Sequence, residues 1–273
     1  MRGELLGIDI GGSKTLVAIF DADGQILRHQ KFPTPKNYQK FLSELASTLQ
    51  ALDVSRITHV CCAAPGKIDR QRGVVLAFGN EAWRNAPLGH DVSKLLGGLP
   101  VLVENDANLA GLSEALLVQA RYKKVLYLTV STGIGDGIII NGIIDPQFAD
   151  GEAGQMMLVH GDKLAKWEDF ASGRALFARY GKKASEIDDP AIWLEFVKGL
   201  AQGIGELMAV LTPEVIIIGG GVGAHFDKFG SLLRMELKKY ESKLVKLPPV
   251  VQAKRPEEAV IYGCYALIRQ KAS

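Results

Sequence analysis

Leu5-Leu6-Gly7-Ile8-Asp9-Ile10-Gly11-Gly12-Ser13-Lys14-Thr15-Leu16-Val17-Ala18-Ile19-Phe20 is the stretch from which the fold can be read. An apolar run from Leu5 to Ile10 meets Gly11-Gly12-Ser13, and a second run follows from Lys14 to Phe20. Two short apolar runs joined by glycine read as strand, tight connection, strand. Asp21-Ala22-Asp23-Gly24 is a turn signal, after which Gln25 to Phe32 returns as a third antiparallel strand. Asn37 is placed to cap a helix whose apolar positions Phe41, Leu42, Leu45, Leu49 and Leu52 recur at helical spacing. His59 to Ala63 reads as another strand, ending in Pro65-Gly66, and Val101 to Glu104 as a short one that gives way to a helix over Asp106 to Ala120.

The same design then begins again. Val125 to Ser131 is a strand, Thr132-Gly133-Ile134-Gly135 a glycine turn, and Asp136 to Ile144 a second strand. From Gly11 to Ser131 the two copies lie roughly 120 residues apart, too far for a solenoid repeat and suited to a duplicated domain core. A third glycine turn, Gly219-Gly220-Gly221, follows the apolar strand Val215 to Ile218 and precedes a helix near Phe226 to Lys238. Glu257 to Arg269 is a closing helix. No Ser- or Pro-rich linker separates the halves. The expected division is an N-terminal lobe of residues 1–110 plus 256–273, to which the last helix returns, and a lobe of residues 111–255.

Composition narrows the function classes. The 32 basic and 30 acidic residues nearly balance without a dense basic block, which disfavours nucleic acid as a partner. No apolar run is long enough for a membrane span and no secretory signal opens the chain, so no membrane partner is expected and the default location is cytoplasmic. Cys61, Cys62 and Cys264 lie in apolar runs without C-x-x-C spacing, as reduced core thiols do.

A glycine turn leaving a strand lets backbone N–H groups approach a phosphate. Alone, Gly11-Gly12 reads equally well as a simple hairpin. The first turn lacks a Gly-Lys-Ser/Thr ending and leads into a strand, so neither a P-loop nor a dinucleotide fingerprint fits. The ordered set is more specific: D-I-G-G-S-K at 9–14, E-N-D-A-N at 104–108, S-T-G-I-G at 131–135, G-E-A-G at 151–154, E-D-F-A-S-G at 168–173 and I-I-G-G-G-V at 217–222. In this order, over almost the whole chain, the sequence closely resembles the ROK family (repressors, open reading frames, kinases).

That resemblance implies an α/β chain with the two-domain, actin-like (ribonuclease H-like) ATPase fold: a duplicated mixed β-sheet core flanked by helices. It implies transfer of a phosphoryl group from ATP to a hexose hydroxyl, glucose to glucose 6-phosphate being the leading reaction. Asp9, Gly11, Gly12, Ser13 and Lys14, with Thr132, Gly133 and Gly135, would hold the donor phosphates. Gly219, Gly220 and Gly221 would flank its adenosine, and Asp9 would lie near a magnesium ion through water. A homodimer is a further family expectation, and two lobes joined near residue 110 lead to the expectation of hinge closure on sugar.

Phosphoryl transfer to an alcohol needs a group that takes the hydroxyl proton. Asp106, where a strand gives way to a helix, suits that task as general base, although Asp106 or Asn105 equally suits a helix cap. Glu104 reads as a supporting carboxylate. Sugar hydroxyls removed from water must be paired, and Asn105, Glu152, Glu168, Asn80 and Gly66 are the candidates. Glu152 and Glu168 would otherwise be ordinary surface carboxylates. Trp83 is a candidate pocket wall or a core aromatic.

The chain departs from the family in one segment. Many members carry G-H and then a zinc-binding C-x-C-G-x-x-G-C run; here Gly154-Gln155 stands in the first place and Met156 to Trp167 holds no cysteine. No zinc is expected. Gln155 is expected to take over the hydrogen bond of the missing histidine to sugar, and the lone His160 reads as a loop or packing residue rather than a ligand. The missing segment also resembles the polyphosphate-dependent glucokinases, with Lys14, Lys67, Arg84, Lys163 and Lys166 as contributors to a cationic track, so polyphosphate is the second donor. A sugar-responsive regulator is disfavoured because only eight residues precede Asp9, and a non-catalytic sugar-binding protein is the remaining alternative.

Overall fold

The computed structural model describes residues 3–78 and 83–272. They form two compact units: residues 1–113 with 260–273, and residues 114–259.

The first unit is built on a five-stranded sheet in the order β3-β2-β1-β4-β8. Its strands are β1 (Glu4–Ile10), β2 (Lys14–Phe20), β3 (Ile26–Pro33), β4 (Ile57–Ala64) and β8 (Val101–Asn105). β1, β2 and β3 form an antiparallel meander, while β4 and β8 run parallel to β1. A small sheet of β5 (Lys67–Asp69), β6 (Val74–Ala77) and β7 (Arg84–Ala86) follows β4. Leu6, Ile8, Ile10, Val17 and Ile19 pack with Phe41, Leu45 and Leu49 of α1 (Tyr38–Ala51). Asn37 caps that helix by accepting the Lys40 N–H at 3.0 Å. Helix α2 (Leu88–Leu95) adds Leu88 and Val92 to the same core.

The opposite face of β1 is covered by the closing helix, Ala259–Lys271, whose residues from Val260 belong to this unit. Phe20 meets Tyr262 and Tyr265 at ring distances of 5.6 and 5.4 Å. Gly263 crosses α3 (Asp106–Val118) so closely that any side chain there would strike the Leu109 carbonyl. Trp83 belongs to the core rather than to a pocket wall: it is 3% exposed, packs on Tyr38, Phe41 and Phe78, and donates its indole N–H to the Lys36 carbonyl at 3.0 Å. Cys61, Cys62 and Cys264 are buried free thiols.

The second unit repeats the sheet as β11-β10-β9-β14-β15. Here β9 (Lys124–Val130), β10 (Ile134–Ile140) and β11 (Ile143–Ile144) are antiparallel, and β14 (Val215–Gly219) and β15 (Val250–Gln252) are parallel. The expected single strand from Asp136 to Ile144 is therefore two strands. Asn141 and Gly142 both take positive φ, 54° and 76°, and this Asn-Gly pair turns the chain back. A two-stranded hairpin, β12 (Met157–His160) and β13 (Lys163–Lys166), occupies the segment without cysteines. Helices α4 (Trp167–Ala171) and α5 (Gly173–Tyr180) follow.

The second core is organised by α6 (Pro190–Leu211), which sequence reading passed over despite its start signal, Asp189 as cap and Pro190 at the first turn. Trp193, Phe196, Leu200 and Ile204 of α6 pack with Phe226, Phe229 and Leu233 of α8 (Phe226–Leu237) against Leu126, Leu128 and Ile216 of the sheet. Between β14 and α8 lies the single turn α7 (Gly220–Gly223). No helix of the described residues is long and apolar enough to cross a membrane.

Candidate active site

The candidate residues fall in both units, and each set is built by the end of a strand. In the first unit, parallel β4 and β8 deliver Ala64-Pro65-Gly66 and Glu104-Asn105-Asp106 to the same sheet edge. Glu104 is buried and held by Arg70, whose Nε reaches Oε2 at 2.7 Å and Nη2 reaches Oε1 at 2.8 Å. Its Oε1 also accepts the Asn105 N–H at 2.7 Å and the Asn108 side-chain amide at 3.1 Å. A buried charge needs such pairing, and here the pairing fixes the backbone at the point where β8 becomes α3. Arg70 is a residue that sequence reading missed.

Asn105 is the helix cap. Its Oδ1 accepts the N–H groups of Ala107 (2.8 Å) and Asn108 (3.2 Å), and its Nδ2 donates to the Gly66 carbonyl at 3.1 Å. The side-chain amide expected to meet sugar is thus engaged by backbone at both its oxygen and its nitrogen, the latter on Gly66. Asp106 opens α3 and accepts the Ala107 N–H at 2.8 Å. Burial raises its carboxyl above the ordinary value, against the pull of the Ala107 and Asp106 backbone N–H groups. Asp9, the penultimate residue of β1, is pushed up to about 7, first by burial and then by the negative charge of Asp106, with Lys31 pulling the other way.

The first glycine turn is open. Gly11 donates its N–H to the Lys14 carbonyl at 3.0 Å, and Thr34 ties the turn down by donating its hydroxyl to the Gly11 carbonyl at 2.8 Å. Gly12, Ser13 and Lys14 are exposed. Asn80 lies outside the described residues.

In the second unit the matching turn is filled. Ser131 donates its N–H to the Gly133 carbonyl at 2.9 Å, and Gly173 donates to the Ser131 carbonyl at 2.6 Å. Glu168 lies against this turn: Oε2 accepts the Ile134 N–H at 3.3 Å and Oε1 accepts the Gln155 side-chain amide at 2.9 Å. Arg174 approaches Oε1 at 3.5 Å. A candidate sugar residue, Glu168, and the candidate phosphate turn Thr132–Gly135 are therefore brought together. The preceding Trp167 anchors Glu168. It is fully buried, donates its indole N–H to the Gly199 carbonyl at 3.1 Å, and lies where any side chain on Gly203 would strike its ring.

Glu152 is exposed just before the 3-10 turn Ala153–Gln155. One buried carboxylate that sequence reading did not single out, Asp136 on β10, accepts the Ala153 N–H at 2.7 Å. Gly219 ends β14, and Gly220 takes φ +80° with Thr129 Oγ1 and the Val130 carbonyl 2.6 and 2.7 Å from where a Cβ would be. That backbone is open only to glycine. Beside it Gly221 is exposed with open space around it.

Among the described residues no group of three or more His, Cys, Asp or Glu is gathered for a metal. His160 is a packing residue, stacked on Phe170 at 4.2 Å with Arg179 at its Nε2.

A family model described as ROK family matches residues 5–271. A curated glucokinase of Streptomyces coelicolor is 30% identical over 87% of this chain and 88% of its own length. An N-acetyl-D-glucosamine kinase of Haemophilus influenzae is 28% identical over 97% and 99%. Among solved structures, a ROK family glucokinase from Streptomyces griseus in complex with glucose and AMPPNP matches with TM-score 0.83 and 25% identity, covering 98% of this chain and 100% of that one. An inorganic polyphosphate/ATP-glucomannokinase from Arthrobacter matches with TM-score 0.75 and 27% identity, covering 98% and 99%.

Proposed function

The chain belongs to the ROK family, with the actin-like ATPase fold, and from that premise we propose that it is a sugar kinase moving the terminal phosphoryl group of ATP to a hexose hydroxyl, the leading reaction being glucose to glucose 6-phosphate. The observation that carries this reading is Asp106: a carboxyl at the start of a helix, raised by burial, on a turn locked by the Arg70–Glu104 pair.

In the reaction the acceptor oxygen forms a bond to phosphorus, the bridging bond of the donor breaks, and the hydroxyl proton passes to the Asp106 carboxylate. A carboxylate disfavoured by burial accepts that proton more readily than one in water. The first turn, Gly11 to Lys14, and the second, Thr132 to Gly135, are assigned to phosphate oxygens through the backbone N–H groups other than those of Gly11 and Ile134, which go to the Lys14 carbonyl and to Glu168. Gly221, next to the constrained Gly220, offers a flat surface to the adenine. Glu152 and Glu168 are assigned to sugar hydroxyls, with Gln155 orienting Glu168 through their hydrogen bond. Asn105 contributes chiefly by shaping the turn, since its oxygen is spent on the cap.

Magnesium fits the first unit. Asp9 is held up to about 7 by burial and by Asp106, and a site in which carboxylates repel one another favours a cation. Asp9 would hold it through water, where its charge would offset that of the donor phosphates.

The test is a phosphorylation panel of glucose, mannose, fructose, N-acetylglucosamine and N-acetylmannosamine, each with ATP and with polyphosphate. Turnover of at least one hexose with ATP is expected. No turnover with any pair sinks the kinase reading, and turnover with polyphosphate alone moves the donor to the second reading. That second donor is supported by exposed Lys14, Lys67, Arg84, Lys163 and Lys166 and by the likeness to the Arthrobacter enzyme.

A further inference from the structure

The duplicated sheet supplies an internal control on one residue. In the first unit Ile8 of β1 lies opposite Val17 of β2, and both are in the core. At the same register in the second unit, Leu128 of β9 lies opposite Asp136 of β10. Ile134 and Ile138, two residues either side of Asp136 and therefore on its face of the strand, belong to the apolar core. A carboxylate has thus been placed where the fold accepts valine. Asp136 is 7% exposed, and burial raises its carboxyl above the ordinary value. Leaving it there is costly unless it supplies a specific contact.

That contact is with the segment carrying Glu152. Asp136 Oδ1 accepts the Ala153 N–H at 2.7 Å. On the other side of Glu152, Gly151 packs so close that a Cβ there would lie 3.1 Å from Asp136 Oδ2 and 3.0 Å from the Phe148 carbonyl. One carboxylate therefore bonds the residue that follows Glu152 and lies close beside the one that precedes it. The same short turn continues through the Gln155 N–H donated to the Glu152 carbonyl at 2.9 Å, and Gln155 goes on to Glu168.

We propose that Asp136 is a positioning residue for sugar: it fixes the 151–155 backbone that presents Glu152 and, through Gln155, orients Glu168. The proposal rests on the reading of Glu152 and Glu168 as sugar contacts. Removing the carboxylate leaves the Ala153 N–H without its acceptor and frees the segment, so sugar affinity falls further than donor affinity.

Two measurements separate the latch from its purpose. Hydrogen exchange of the peptide spanning Gly151 to Gln155 tests the latch alone: D136A should exchange about tenfold faster than the parent, and D136N, which keeps an acceptor oxygen, near the parent rate. Unchanged exchange in D136A overturns the proposal. Steady-state kinetics with the best sugar of the panel tests the purpose. D136A should raise the sugar KM about tenfold with donor KM within about twofold, and D136N should recover most of that loss. E152Q should raise the sugar KM by itself, and adding D136A to it should cost clearly less than the roughly tenfold that D136A costs alone, the remainder passing through Gln155 to Glu168. Independent, multiplying losses overturn the positioning role. A silent E152Q beside accelerated exchange overturns the sugar reading and with it the role, while the latch itself stands. If D136A fails to fold, G151A, on an exposed turn, carries the same expectation through the crowding at Asp136 Oδ2, and an unchanged sugar KM there overturns the proposal.

Discussion

The two sheets share one strand order and one set of strand directions, yet they furnish different chemistry at equivalent positions. The penultimate residue of the first strand is Asp9 in one unit and Thr129 in the other. The end of the fourth strand leads to Ala64-Pro65-Gly66 in one and to Gly219-Gly220-Gly221 in the other. The first unit gathers half-buried carboxylates whose pKa is raised, Asp9 and Asp106, beside an ion pair. The second spends its strand ends on glycines and lets helix side chains fill the gaps, as Glu168 does at Gly133. A duplicated scaffold thus separates a proton-handling edge from one suited to holding and fitting ligands, without changing the hydrogen-bonded frame beneath either.

The largest effect expected from that contrast is on turnover. D106A should lower kcat by about 10²–10⁴ with sugar affinity within about threefold, the signature of a lost general base. E168Q, its counterpart in the second unit, should instead raise the sugar KM more than it lowers kcat. Equal kcat losses from both would erase the proposed division of labour. Isothermal titration with sugar beside steady-state kinetics makes the comparison.

Next comes stability. Removing Arg70 leaves Glu104 buried with backbone and amide partners but no counter-charge, and R70A should cost about 3 kcal/mol in denaturant unfolding. Arg179–Glu195 in the second unit is an equally short pair, at 2.7 Å, but both side chains are largely exposed. R179A should cost no more than about 1 kcal/mol. If R70A were equally mild, the Glu104 web would not be what fixes the Asp106 turn.

A third expectation concerns pH. Asp9 titrates near 7 in the folded chain and near its ordinary value of 3.8 when unfolded. Between those values the folded state binds the extra proton, so stability is greatest at the acid end and falls as pH rises through the window, by up to ~1.4 kcal/mol per pH unit. Melting temperatures of the metal-free protein from pH 5 to 8 should therefore slope downward from this term, and D9N should flatten the slope. An unchanged slope in D9N would show that Asp9 ionises freely. Magnesium, by favouring the charged form, should shallow the slope in the parent and not in D9N.

How much of this was legible beforehand follows from the range of the forces involved. The strand–glycine–strand signal, the Asn37 cap and the apolar spacing of α1 are local, and each forms as read. The Asn141-Gly142 turn and the Asp189-Pro190 helix start were equally local signals that an expectation of one long strand and attention to glycine motifs passed over. Trp83 was ambiguous because an aromatic beside glycines suits a pocket wall or a core, and only the neighbours Tyr38, Phe41 and Phe78 decide it. Arg70 and Asp136 were not legible in principle: their meaning lies in contacts 34 and 17 residues away, to Glu104 and Ala153. Asn105 was legible in part: helix cap and sugar contact were both open from the sequence, and only the Ala107 and Asn108 N–H groups on its oxygen establish the cap.

The smallest effect is the sharpest probe of the two glycine turns, because one chemical change meets two different surroundings. A methyl group added at Gly12 would meet nothing within 4 Å, and its φ is not one that only glycine adopts. G12A should therefore change unfolding stability by less than about 0.5 kcal/mol. At Gly133 the same methyl would run into the Glu168 carboxylate. That carboxylate is the end of a flexible side chain, so it swings away and surrenders its 3.3 Å bond from the Ile134 N–H, with little change in global stability. G133A should thus raise the sugar KM severalfold at nearly the parent's melting temperature. G12A should leave sugar KM alone and, if the first turn does approach phosphate with its backbone, raise only the donor KM. A sugar effect from G12A would break the reading of the first turn as a donor contact alone, and none from G133A would break the reading of Glu168 as a sugar contact.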